Sequence, residues 1–279
     1  MTVRTLSLPS GVPVPALGQG TWYMGENASA RRDEAAALRL GLDLGLTLID
    51  TAEMYGEGGA EAVVADAMAG RRAEVFLVSK FYPHHASRKG VGQACEASLR
   101  RLRTDYLDLY LLHWRGSTPF RETLEALVAL KASGKIREYG VSNLDQDDME
   151  EMCALPGGEA IATDQVLYNL SRRGVEWDLL PWCRERSIPL MAYSPIEQGR
   201  ILRRGELRAI AARHEATPAQ IALAWLLRHP DLMVIPKAAT PQHVRENRAA
   251  LEVKLTAEDL KELDRAFPPP TRKRSLEML

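Results

Sequence analysis

LIDTAEMYGEG, residues 48–58, begins as an apolar run, stops on Asp50 with no turn residue before it, and offers Tyr55 five positions later in a glycine-bounded loop. The run reads as a buried strand whose last side chain is a carboxylate. The same shape recurs along the chain, at EVFLVSK (74–80), YLDLYLLHW (106–114), KIREYGVSN (135–143), AIATDQ (160–165), IPLMAYS (188–194) and LMVIPK (232–237). With LTLID (46–50) and a degenerate first member, ALGQGTW (16–22), there are eight candidate strands.

Between the runs lie helix-period segments. Ala37, Leu40 and Leu44 precede Gly45; Val91, Cys95, Leu99 and Leu102 share a face; Phe120, Leu124, Leu127 and Leu130 precede Gly134. Thr217-Pro218 with Gln220 reads as a capped helix start, and Thr240-Pro241 opens another helix after the last strand. Strands alternating with helices call for a parallel sheet with crossover connections. Eight such units in 279 residues fit a (β/α)8 TIM barrel, whose usual size is roughly 250 residues, as one domain over 1–279. LSLPSGVPV reads as an N-terminal β-hairpin ahead of the barrel, and Leu255 to Phe267 as an extra C-terminal helix before a proline-rich tail. A doubly wound sheet is the competing architecture, but Gly18-Gln19-Gly20-Thr21 lacks the third glycine of a dinucleotide fingerprint.

Composition narrows the partners. With 36 basic and 37 acidic residues the chain has no field to hold nucleic acid or an anionic membrane. No window is apolar enough for a span, the start lacks a signal peptide's apolar core, and three cysteines without CxxC spacing suit a reducing cytoplasm. A monomer or weak oligomer acting on a small molecule is expected.

Strand after strand, the apolar run stops on a polar or aromatic residue: Asp50, Lys80, His113 with Trp114, Ser142 with Asn143, Gln165, Tyr193 with Ser194, and Lys237. In a parallel barrel these converge on the C-terminal mouth, where barrel enzymes keep their chemistry. Singly, each has a structural explanation as a cap, a strand end or a satisfied core group; jointly those explanations weaken. Asp50 and Lys80, at neighbouring strand ends with opposite sign, should pair, since a lone charge there costs several kcal/mol. A lysine cation beside Tyr55 should lower the phenol's pKa, and His113 can orient a substrate oxygen. The set suits protonating an oxygen as it becomes negative. No metal constellation is visible, His84-His85 being adjacent in a loop, so a hydride cofactor is the natural supplement. The helix opened by Thr240-Pro241, with His243, Arg245, Glu246 and Asn247 in its first turns and Lys237 before it, suits a phosphate. Ser142, Asn143 and Gln165 suit a carboxamide, and Tyr193 a flat ring.

GQGTW (18–22), LIDTAEMYG (48–56), VSK (78–80), LDLYLLHW (107–114), GVSN (140–143), Gln165, AYSP (192–195) and IPKAATPQHVREN (235–247) together make the chain resemble the aldo-keto reductase family along nearly its whole length. The wording of the motifs is similar to bacterial members that reduce methylglyoxal. The resemblance implies that Tyr55 is the general acid, tuned by Lys80 and Asp50, that His113 orients the carbonyl, and that NADPH gives a hydride without a metal. It implies cofactor contacts from Gly20, Thr21, Trp22, Ser142, Asn143, Gln165, Tyr193, Ser194, Lys237, Ala238, His243, Glu246 and Asn247. Two of these depart from the family pattern, Ala238 and His243 standing where many members carry residues that contact the ribose phosphate of NADPH. NADH is therefore a possible second cofactor, while Lys237 and Arg245 favour NADPH. Trp22, Met54, Phe81, Tyr82 and Trp114 are the expected substrate lining, with walls shortened in the loop after His113 and the tail after Ala266. The implied reaction is reduction of a small aldehyde or ketoaldehyde; the competing readings are a Schiff-base aldolase using Lys80 and a cofactor-binding redox sensor.

Overall fold

The computed structural model describes residues 3–279. All eight expected strands form, most of them shorter than the apolar run that announces them; β8 instead runs two residues past its own. After a two-stranded antiparallel hairpin, β1 (Thr5–Ser7) with β2 (Pro13–Pro15), come β3 (Gly18–Gly20), β4 (Leu48–Asp50), β5 (Phe76–Phe81), β6 (Leu107–Leu112), β7 (Ile136–Ser142), β8 (Ile161–Leu167), β9 (Leu190–Tyr193) and β10 (Leu232–Val234). From β3 to β10 each strand pairs in parallel with the next in sequence. Parallel bridges from Leu17 to Val234 and from Gly20 to Lys237 bring the two ends of the sheet together into a barrel.

Helices cover the outside. They are α1 (Arg31–Asp43), α2 (Gly59–Ala67), α3 (Arg88–Leu102), α4 (Phe120–Ala132), α5 (Gln146–Cys153), α6 (Leu179–Glu185), α7 (Gly205–Arg213), α8 (Pro218–Leu227), α9 (Pro241–Ala249) and α10 (Ala257–Ala266). At the start of α8, Thr217 accepts from Gln220 N while the Gln220 side chain accepts from Thr217 N, the reciprocal cap the sequence predicts. Thr240 caps α9, and the added C-terminal helix is α10, capped by Thr256 and Asp259. Periodicity alone gives no warning of α2 or α6. Ala60, Glu61, Val63, Val64, Ala65 and Ala67 are all buried, so apolar positions run nearly all round α2 with Asp66 its one part-exposed charge, and α6 has only seven residues. No helix among the described residues is long and apolar enough to cross a membrane.

Two apolar layers follow from the strand period of two. Leu48, Val78, Leu109, Leu111, Ala162, Met191 and Met233 point into the barrel, where Leu8 and Val14 of the hairpin join them, so the hairpin plugs one end. The alternate residues, such as Ile49, Leu77, Tyr110 and Leu112, pack against the helices. The register of β7 on β8 slips between Tyr139 opposite Ile161 and Val141 opposite Asp164, so that Gly140 on one strand faces Ala162 and Thr163 on the other. This β-bulge reverses the alternation of β8: Ala162 faces in, and so does Gln165.

Candidate active site

At the open end of the barrel the alternation carries Asp50, Lys80, His113 and Ser142 to one place, and the bulge in β8 brings Gln165 to join them. Asp50 and Lys80 are 2 % and 0 % exposed. The Lys80 ammonium has three N–H donors, and all three are engaged: with Asp50 Oδ2 at 2.8 Å, the Thr51 carbonyl at 2.9 Å and the Tyr55 oxygen at 3.2 Å. The other Asp50 oxygen accepts from Gln165 Nε2 at 2.7 Å. Burial pushes the Asp50 carboxyl up and the Lys80 amine down, and their contact opposes both shifts. The pair survives as ions because every oxygen and proton of it has a partner.

Tyr55 lies in the loop after β4, which turns back through Gly56, Glu57 and Gly58, all with positive φ. The turn sits against the loop after β3 so closely that a Cβ on Gly25 would lie 2.1 Å from the Gly59 carbonyl carbon. Because its hydroxyl oxygen accepts from Lys80, the proton of Tyr55 is free to be donated elsewhere. The sequence reading that Lys80 draws the phenol's pKa down is corrected. Burial, and then the negative Asp50, hold it well above that of a free tyrosine. His113 sits edge-on to the Tyr55 ring with centroids 5.8 Å apart. Burial and the nearby Lys80 pull its pKa down to about 2, so the imidazole is neutral at any working pH. Its Nδ1 is buried with no partner among the described residues.

Beside these, Ser142 Oγ donates to the Gln165 carbonyl at 2.8 Å, and Asn143 Nδ2 to the His113 carbonyl at 3.1 Å. The Tyr193 hydroxyl donates to Asn143 Oδ1 at 2.9 Å. Two cavities meet here, sharing Trp22, Tyr55 and Tyr193. The smaller, about 240 Å³, is lined by Met54, His113, Trp114, Ser142, Asn143 and Gln165, together with Met278 and Leu279. The larger, about 460 Å³, runs past Gly20, Thr21 and Ser194 to Lys237 and His243 at the mouth of α9. An aromatic junction at one end and a lysine beside a helix N-terminus at the other match the parts of a nicotinamide dinucleotide.

Several expected residues lie elsewhere. Phe81 follows the inward Lys80 and therefore faces out, packed on Tyr110 with centroids 4.9 Å apart, so it is no part of the pocket. Tyr82 stands behind the wall, edge-on to Trp114. Ala238 and Asn247 are buried and Glu246 takes the Gln242 side chain; none of the three lines either cavity. The expected shortening of the pocket by the tail is also corrected: the tail folds back, and Met278 and Leu279 form cavity wall. Nothing in the local pattern of the tail signals this. Sequence reading missed Pro195, Ile196, Gln198 and Gly199, which line the larger cavity; the signal that finds them is a Pro- and Gly-bearing loop after the penultimate strand, where barrels hold phosphates.

The profile of the aldo/keto reductase family matches residues 16–267. The chain belongs to that family. This aldo/keto reductase, an oxidoreductase, is 55 % identical to the methylglyoxal reductase YeaE of Escherichia coli over the full length of both chains. It is 34 % identical to the glyoxal reductase of Bacillus subtilis, with 93 % of this chain and 91 % of that one covered. An aldo/keto reductase from Klebsiella pneumoniae, solved in complex with NADP and acetate, is 53 % identical and superposes with a TM-score of 0.97, covering 100 % of both chains.

Proposed function

We propose that this protein uses NADPH to reduce small aldehydes and ketoaldehydes to alcohols, with methylglyoxal a substrate and Tyr55 the proton donor. The observation that carries the reading is the saturated lysine: Lys80 spends its third N–H on the Tyr55 oxygen at 3.2 Å, at the junction of the two cavities. When bound, NADPH supplies a hydride to the carbonyl carbon. The chain's own residues do the rest. His113 and Tyr55 line the pocket where the carbonyl oxygen lies, and as that oxygen gains charge Tyr55 passes it the phenolic proton. Lys80, already in contact, meets the phenolate, and Asp50 keeps the lysine charged and in place. A phenol held protonated by burial gives up its proton only to an oxygen that is becoming an alkoxide, which ties the proton to the reduction.

Ser142, Asn143 and Gln165 are the groups for the nicotinamide carboxamide and Tyr193 the face for its ring, while Lys237 and His243 take the phosphate end. That the Klebsiella neighbour was solved in complex with NADP supports NADPH over NADH. The small pocket, walled by Trp22, Met54, Trp114, Met278 and Leu279, supports a short carbonyl compound. A Schiff-base aldolase is disfavoured because the amine of Lys80 is fully buried and committed to three acceptors. The free thiols Cys95, Cys153 and Cys183 support placing the enzyme in a reducing cytoplasm.

The test is NADPH oxidation with methylglyoxal. Tyr55→Phe should lose roughly 100- to 10,000-fold in turnover, the usual worth of a general acid, with cofactor affinity retained. Undiminished turnover in that variant would overturn the proposal.

A further inference from the structure

Glu53 has no part in the chemistry described so far, yet its side chain is nearly buried and doubly contacted beside it. It stands two residues before Tyr55, with a carboxylate that is 8 % exposed. One oxygen, Oε1, accepts from the backbone N–H of Tyr82 at 2.7 Å and lies 2.8 Å from His85 Nδ1. The backbone N–H of Glu53 donates to the carbonyl of Lys80 at 3.2 Å. The residue is thus tied at both ends to β5 and the turn that follows it, on either side of the Lys80 side chain. Beyond it the loop runs through Gly56, Glu57 and Gly58 in left-handed conformations and has no regular ladder to fix it.

We infer that Glu53 is a positioning residue that sets the Tyr55–Lys80 contact by clamping the Tyr55 loop to the end of the Lys80 strand. The clamp reaches further than the tyrosine. Tyr82, whose N–H it takes, stacks on His84 and stands edge-on to Trp114, and Trp114 packs on His113 with centroids 4.9 Å apart. One carboxylate oxygen therefore ties together the loop of the proton donor, the strand of the lysine and the aromatic wall of the pocket. It lines neither cavity, so it acts on turnover only through the residues it holds. What the position requires is an acceptor at the reach of a glutamate, because a backbone N–H and an imidazole nitrogen converge on that single atom.

The inference rests on the proposed role of Tyr55, and its test separates the two. Glu53→Gln keeps Oε1 as an acceptor at the same reach; Glu53→Asp keeps the charge but is shorter by one methylene; Glu53→Ala removes both. Turnover of methylglyoxal, NADPH affinity by fluorescence quenching and the solvent deuterium isotope effect on turnover are measured for each. A loss of alignment of about an ångström costs on the order of 100-fold in rate. Glu53→Asp and Glu53→Ala should therefore lose roughly 10- to 100-fold in kcat with NADPH affinity unchanged, and their isotope effect should rise as proton transfer becomes limiting. Glu53→Gln should stay near the parent. If Glu53→Ala does not fold, the contrast between Asp and Gln decides alone. Parent-like kcat in Glu53→Asp, or equal losses in the Asp and Gln variants, overturns the clamp. A fully active Tyr55→Phe overturns the proposed function itself; an inactive Tyr55→Phe beside a parent-like Glu53→Asp overturns only the inference about Glu53.

Discussion

Asp164 is fully buried, and its carboxylate oxygens find no side-chain partner among the described residues. It sits one position before Gln165, on the face of β8 turned away from the barrel interior, among the helix-side groups. Burial is the first cause that lifts its pKa well above the usual carboxylate range, with Asp148 and Asp145 adding to the shift and the Leu144 backbone giving only partial relief. Burial therefore favours the neutral acid over the carboxylate. A carboxyl whose folded pKa lies above its unfolded value, about 3.9, leaves stability intact at low pH and withdraws it as the pH climbs toward the folded value. Asp164→Asn should match the parent in acid and become the more stable of the two as the pH rises, by up to about 1.4 kcal/mol per pH unit over that window. Urea midpoints measured from acid to mildly alkaline pH check this. A stability difference that does not vary with pH would mean Asp164 is ionised in the folded protein.

The element that creates this situation is the bulge in β8. Without it, the alternation that puts Ala162 inside would carry Asp164 into the mouth and turn Gln165 out among the helices. With it, Gln165 reaches Asp50 at 2.7 Å and the ion pair is completed. The bulge is accommodated by a glycine on the neighbouring strand: a Cβ on Gly140 would lie 2.6 Å from the Thr163 carbonyl oxygen. Gly140→Ala should force the two strands apart at that point and destabilise the fold by about 1–3 kcal/mol, the common cost of overpacking. Since the displaced strand carries Gln165, turnover should fall alongside the thermal midpoint. An unchanged midpoint would show that the strands can part there without cost.

At the scale of the whole molecule, the two cavities are connected through Arg172. Its Nε and Nη2 donate to Glu197, at 3.1 and 3.0 Å, and its Nη1 donates to Glu277 at 2.5 Å. Glu197 and Gln198 take left-handed conformations in the loop that borders the larger cavity, and Glu277 precedes the Met278 and Leu279 that wall the smaller one. The tail is held further by Lys273 against Asp147 and Asp178, and by the Leu279 N–H to the Tyr193 oxygen at 3.4 Å. Arg172→Met should loosen both walls. With its side chain 34 % exposed, solvent discounts the ion pairs to about 1 kcal/mol, or roughly a fivefold rise in both NADPH Kd and KM for methylglyoxal. A variant in which only one constant moves would show that the walls are independent.

The sequence by itself determined the eight strands, the hairpin, the capped helices after β9 and β10, and which strand ends carry polar groups. These follow from local rules, the period of two in a strand and the capping chemistry at Thr217 and Thr240, which need no knowledge of distant contacts. That same period, applied strictly, also places Phe81 behind Lys80 and outside the pocket. Only the tertiary structure decided the rest: that a bulge re-aims Gln165, that the tail returns to wall the pocket, and that burial raises rather than lowers the pKa of Tyr55. Each of these depends on what lies across the fold from the residue concerned. Desolvation and long-range packing are set by residues far away in the chain, and a local stretch of sequence does not carry them.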